Sequence, residues 1–237
     1  MNFKEEFDKS PMKVEITLSE EVKIKLNCFV DEVIKTKETE NHHKVDNGQE
    51  FKRWYTGFSG ESALEEYLHV EYVDLTVGDS KQYHVSDLSK LKLDIGVKTV
   101  ESGKFPIIFK RSYSPQVIII KDNDSLYICG MATVEVLNKY QSDDLILSPS
   151  LKARGTKTGF YGFEHLKPFN NIDDLKILTK NFPNDTNVII DDENFVLKYS
   201  NGKYHLISDE NSYKNLEIGK FNRKLKNLVL EKRAIIK

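Results

Sequence analysis

Residues 86–100 read Ser-Asp-Leu-Ser-Lys-Leu-Lys-Leu-Asp-Ile-Gly-Val-Lys-Thr-Val, and the alternation in the second half of this stretch constrains the fold more than any other feature. A strand over 91–100 has a period of two, so it sends Leu93, Ile95 and Val97 to one face and Asp94, Gly96 and Lys98 to the other. An acid and an ammonium then share the polar side of a strand whose opposite side is buried, with Asp87 a short spacer upstream. That pattern suits carboxylates that hold a divalent cation against a phosphate, beside a lysine that orients water or neutralises developing charge.

The surrounding chain predicts a mixed sheet with helices. Thr17-Leu18-Ser19-Glu20 has the spacing of a capping box, and Val22, Leu26, Phe29, Val30, Val33 and Ile34 recur at helical intervals, which predicts a helix over 19–37. Residues 39–49 lack apolar periodicity and read as a polar connection, with His42 and His43 solvent-exposed. A second helix starts at Ser59, with Ala63, Leu64, Tyr67 and Leu68 on its apolar stripe and Glu61 and Glu65 together on another face. Strand-like segments follow at 70–76, 82–85, 106–109, 116–120 and 126–130, and Asp122-Asn123-Asp124-Ser125 supplies turn chemistry between the last two. A helix over 133–139 and an extended piece over 157–163 complete the core. Beyond Phe169, segments 195–199 and 203–207 flank Ser200-Asn201-Gly202, a hairpin signal.

In order and spacing, Asp87 followed by a strand that ends in Val97-Lys98-Thr99 resembles the Asp...(Asp/Glu)-x-Lys signature of the PD-(D/E)XK nuclease superfamily. The helix begun by Gly57-Phe58-Ser59-Gly60-Glu61-Ser62 is similar to the one that precedes the catalytic hairpin there and often adds a glutamate. The resemblance covers 57–162. It implies an α/β, restriction-endonuclease-like mixed sheet flanked by helices, and a metal-dependent DNA endonuclease like a Type II restriction enzyme or a phage-encoded nuclease. It also implies Mg²⁺ (or Mn²⁺) as cofactor, double-stranded DNA as substrate, and a homodimer. Carried onto this chain, Asp87, Asp94 and Glu61 hold metal, and Lys98 positions the attacking water or stabilises the transition state. The chain departs from the signature at Ser86, where proline is frequent, and at Gly96, where the acid of the triplet is expected. Asp94 or Glu101 would have to replace that acid. The alternatives are a nuclease-derived module that only binds nucleic acid or a partner protein, and a nuclease acting on RNA or branched DNA.

Domain limits follow from these textures: a helical segment over 1–50, the nuclease-like core over 51–175, and a small β-rich, basic C-terminal appendage over 176–237. The formal net charge of −2 argues against a chain held on nucleic acid by bulk electrostatics, so any DNA contact has to be local. The candidates are Lys152, Arg154 and Lys157 in Lys-Ala-Arg-Gly-Thr-Lys-Thr-Gly-Phe-Tyr-Gly-Phe, where glycines let backbone N–H groups approach a phosphate, together with Lys110 and Arg111. Arg53 beside Trp54, and the basic run over 220–237, are lesser candidates.

The required glycine spacing ahead of a Gly-Lys-Ser/Thr triplet does not occur around Gly155-Thr156-Lys157-Thr158, which excludes a Walker loop. Cys28 and Cys129 lie far apart without neighbouring histidines, so they read as free thiols in a reducing compartment. With neither a signal-like N-terminus nor an apolar run of ~18 residues, the sequence predicts a soluble cytoplasmic protein with no membrane segment.

Overall fold

A computed structural model describes residues 1–37, 49–77, 86–179, 186–191, 193–200, 203–207, 216–217 and 234–236. Its helices are α1 (Phe3–Asp8), α2 (Glu20–Lys37), α3 (Glu50–Leu68), α4 (Val134–Lys139), α5 (Pro149–Ala153) and α6 (Ile172–Thr179). The strands of the first two sheets are β1 (Val14–Thr17), β2 (Gly96–Glu101), β3 (Ile107–Phe109), β4 (Gln116–Asp122), β5 (Ser125–Ala132), β6 (Gln141–Ser142) and β7 (Lys157–Phe160). The C-terminal strands are β8 (Thr186–Ile190), β9 (Glu193–Ser200), β10 (Lys203–Ile207), β11 (Leu216–Glu217) and β12 (Ala234–Ile236). The predicted segment 82–85, His42 and His43 lie outside the described residues, as does most of the basic run 220–237.

The central sheet has the order β1-β5-β4-β2, mixed because β2 runs parallel to β4 while the other pairs are antiparallel. Both faces of β4 are covered, which is why Val117-Ile118-Ile119-Ile120 is an unbroken apolar run rather than an alternating one. Val117 and Ile119 enter a core with Leu26, Leu64 and Leu68 on the helical side. Ile118 and Ile120 enter a second core with Ile108, Phe160 and Phe163. That second core is backed by the small sheet β3-β7-β6. The C-terminal strands form a separate antiparallel sheet, β11-β10-β9-β8-β12, in which Ser200 pairs with Lys203 across the predicted hairpin.

α3 begins nine residues earlier than predicted, because Gly57 does not break it. Its first turns carry Trp54, Tyr55 and Phe58 against Phe29, Val30 and Val33 of α2, and the Phe29 and Phe58 rings meet edge to face at 4.8 Å. The helix ends where His69 turns left-handed (φ 53°) and its N–H reaches back to the Glu65 and Glu66 carbonyls.

Two strand expectations are corrected. Residues 70–76 form no strand: the Tyr72 and Val73 N–H groups donate to Glu65 Oε1 at 2.6 and 2.8 Å instead of to a neighbouring strand. The strand expected over 91–100 starts only at Gly96. Ser89–Leu91 is a single 3-10 turn and Lys92 is left-handed (φ 62°), which breaks the period of two ahead of Leu93. The expected hairpin at 122–125 is present, with Asp122 paired to Ser125 and Asn123 left-handed at the turn. So is the short helix after it, where the Thr133 side chain accepts from the Val136 N–H. Thr133→Ala is expected to cost about 1 kcal/mol of stability, measured by urea unfolding. Among the described residues no helix is long and apolar enough to cross a membrane.

Candidate active site

The site forms at the open edge of the central sheet. β2 is an edge strand, so the Val97 N–H points away from β4 and needs a partner outside the sheet. Asp87 supplies it, accepting that N–H on Oδ2 at 2.5 Å. The loop that presents Asp87 is closed on itself: the Leu88 N–H donates to the Ile95 carbonyl (3.1 Å), the Leu93 N–H to the Leu88 carbonyl (3.2 Å), and the Ser86 hydroxyl to the Leu93 carbonyl (3.0 Å). Leu88, Leu93 and Ile95 anchor it in the core under α3. Asp87 is therefore held rigidly by its backbone while its side chain stays open to solvent.

Four ionisable groups interact around this point. Burial first, then the Asp87 and Glu65 carboxylates, raise the Glu61 carboxyl to about 8. Crowding by the surrounding protein raises the Asp87 carboxyl, opposed by the Val97 N–H and by Lys98. Burial lowers the Lys98 ammonium and Asp87 opposes that shift. Lys157 is lowered to about 8, by burial and then by repulsion from Lys98, and its Nζ sits 3.3 Å from the centre of the Phe109 ring. The structure thus links Glu61 of α3 to Asp87 of the loop, Asp87 to Lys98 of β2, and Lys98 to Lys157 of β7, pair by pair. Of the two glutamates on the α3 face, Glu65 is committed to the backbone of residues 72 and 73, while Glu61 faces the Asp87 charge.

Asp94 sits apart from the strand expected to carry it. It is buried ahead of β2, and its Oδ1 accepts from the Ser114 hydroxyl at 2.9 Å. Lys110 pairs with Asp143 (2.6 Å) and Lys152 with Asp144 (3.6 Å), whereas Arg111 and Arg154 are exposed. Glu101, considered as a replacement acid, binds Lys52 (2.7 Å) and Lys104 (2.9 Å) beyond Lys98 on β2. Those residues line a cleft of about 710 Å³ between the first turns of α3, the end of β2 and Ser148-Pro149-Ser150. Sequence reasoning did not single out Gln116, which faces Gly96 across the parallel pair β2 and β4. Its one local signal is that it is the polar residue at the head of the apolar run 117–120.

Among the described residues, no three His, Cys, Asp or Glu side chains gather closely enough to hold a metal ion by themselves. Two carboxylates nevertheless suit Mg²⁺, which is commonly bound through one or two carboxylates with water and substrate phosphate completing its shell. No family model, curated protein or solved structure matches this chain.

Burying Glu61, beside two other carboxylates, carries a stability cost. With its folded pKa raised above the unfolded value, Glu61 stabilises the fold fully below pH ~4.5, and that contribution is lost as pH rises toward about 8. Glu61→Gln is therefore expected to raise the Tm of the metal-free protein at pH 8, by about 2–4 °C per kcal/mol recovered, and to have little effect at pH 4.5. Thermal melts at the two pH values check this.

Proposed function

We propose that this protein is a metal-dependent nuclease of restriction-endonuclease-like fold that hydrolyses phosphodiester bonds in DNA. The observation that carries the reading is a chain of charge–charge interactions, Glu61 with Asp87, Asp87 with Lys98 and Lys98 with Lys157, anchored where Asp87 caps the edge strand β2. Glu61 and Asp87 are the residues that would hold Mg²⁺, and the bound cation would supply charge neutralisation on the phosphate and a more acidic water. Lys98 faces the Asp87 charge from within the wall of the site, where an ammonium stabilises an attacking hydroxide or the charge that builds on non-bridging oxygens. Lys157 adds a second cation for the same phosphate. Asp94 takes a supporting role in this reading, bracing the segment ahead of β2 through Ser114.

The sheet β3-β7-β6 carries Lys157 on β7, with Lys110 and Arg111 following β3 and Lys152 and Arg154 at α5. Lys110 and Lys152 are paired with Asp143 and Asp144, so in this reading the exposed Arg111 and Arg154 are the first candidates for contact with the nucleic-acid backbone. The cleft bearing Lys52, Arg53 and Lys104 begins against Thr99, one residue beyond Lys98, and offers a path for the substrate strand.

One observation favours a second reading. The lack of a carboxylate trio among the described residues, together with Gly96, fits a module that retains nucleic-acid binding without cleavage. Incubation with Mg²⁺ and labelled duplex, branched and single-stranded DNA and RNA separates the two. The nuclease reading expects cleavage of duplex DNA that stops with EDTA. Retained binding of every substrate without cleavage in Mg²⁺ or Mn²⁺ supports the second reading.

A further inference from the structure

Gly96 stands where the triplet calls for an acid, yet the space that an acid would occupy is not left to solvent alone. Gly96 and Gln116 are register partners across the parallel strands β2 and β4, so their side-chain positions fall on the same side of the sheet. A Cβ built on Gly96 would lie 3.5 Å from Asp87 Oδ2, 3.6 Å from Gln116 Cγ and 3.9 Å from Gln116 Cδ. The glutamine therefore extends from the neighbouring strand into the seat beside Asp87.

The polar end of that glutamine is in an unusual state. Its Oε1 is buried and accepts no hydrogen bond. An orphaned buried acceptor costs about 1–3 kcal/mol, and native structures keep few of them without an ion, a water or a catalytic role to account for them. An amide oxygen is a hard, neutral donor of the kind that alkaline-earth cations accept alongside carboxylates. Asp87 Oδ2 and the Gln116 amide thus border one small space, with one oxygen anionic and the other unsatisfied.

We propose that Gln116 supplies, from the adjacent strand, the oxygen ligand that the acid of the triplet would otherwise supply at position 96, so that a cation is seated between Asp87 and Gln116. The inference rests on the nuclease reading of the same site. It makes the seat one negative charge poorer than one with an acid at position 96, and it explains why a glycine at 96 is compatible with metal binding. The seat also accepts a return to the ordinary pattern, because the contacts around a new Cβ at 96 are ordinary van der Waals distances and Gly96 is not in the left-handed region.

The test uses the full chain and Mn²⁺ binding, read by calorimetry and by the electron paramagnetic resonance of free Mn²⁺, without nucleic acid. Gln116→Glu keeps the shape and adds a charge, and is expected to bind Mn²⁺ about 10-fold more tightly than wild type. Gln116→Leu is expected to weaken binding at least 10-fold, while its metal-free Tm stays equal to or above that of wild type because the orphaned amide is gone. Gly96→Asp added to Gln116→Leu is expected to restore binding to wild-type strength or better. Asp87→Asn reports on the underlying reading. If wild type binds Mn²⁺ and Asp87→Asn does not, but both Gln116 variants bind like wild type, the role of Gln116 is overturned and the nuclease site stands. If wild type does not bind Mn²⁺, and Gln116→Glu does not either, both fall together.

Discussion

Lys98→Ala is expected to lower the single-turnover rate of DNA cleavage by about 10²–10⁴-fold, with substrate affinity changed far less. Lys98 is half-buried, burial opposes its ammonium, and the group that favours its charge is Asp87, which sets it apart from the exposed cations Lys152 and Arg154. Lys98→Arg is not a conservative rescue, since a planar fork cannot reproduce a compact ammonium in a crowded wall. Asp87→Asn is expected to fall by a similar factor, with its Mg²⁺ dependence shifted to higher concentration. By contrast, Lys152→Ala and Arg154→Ala act through the substrate backbone and should weaken binding and flatten its salt dependence, leaving the rate of bound substrate unchanged. Rapid-quench kinetics with enzyme in excess separate the two classes. A loss smaller than 10-fold in Lys98→Ala would remove Lys98 from the chemistry.

The second large effect concerns the helix that carries Glu61. Gly60 is the point where α3 touches β2: a Cβ there would lie 1.8 Å from Thr99 Oγ1, 2.8 Å from Thr99 Cβ and 2.9 Å from Thr99 Cγ2. Gly60→Val therefore has to lift the helix off the strand or displace Thr99, and is expected to destabilise the protein by about 3 kcal/mol or more. For a chain of this size that lowers Tm by about 6–12 °C. Because Glu61 is the next residue, the same displacement moves it away from Asp87, so residual folded protein should also lose Mg²⁺ affinity. Thr99→Gly in the Gly60→Val background is expected to recover most of the loss, a rescue that a general dislike of side chains at position 60 would not produce. Differential scanning calorimetry of the two single variants and the double variant reads this coupling.

Those two predictions rest on features that differ in how far they can be read from sequence. α2 was legible because its apolar residues repeat at helical spacing and meet a single partner, and the β4–β5 hairpin was legible because Asp122-Asn123-Asp124-Ser125 carries its own turn chemistry. Asp87, Lys98 and Glu61 could be singled out as candidates from local signals alone: a turn, the polar side of a strand and the polar face of a helix. Failures came wherever a long-range contact overrode a local pattern. Alternation over 70–76 looks like a strand, but the donors of Tyr72 and Val73 are taken by the Glu65 carboxylate. Leu91, Leu93 and Ile95 alternate without a strand, because the loop folds Leu93, Asp94 and Ile95 all inward after the left-handed Lys92. That inward turn is also why Asp94 meets Ser114 rather than standing in line with Lys98. Gln116 was invisible because only the register of a parallel pair sets it opposite Gly96, twenty residues away, and nothing local in the sequence reports that register.

Crystals of the full chain soaked in Mn²⁺ test the convergence of these groups most directly, through anomalous scattering at the manganese edge. The account predicts a single strong peak at the edge of β2, with oxygen ligands from Asp87 and Glu61 and with Lys98 facing it. A peak bound by other residues, or none at Mn²⁺ concentrations that support cleavage, would contradict it.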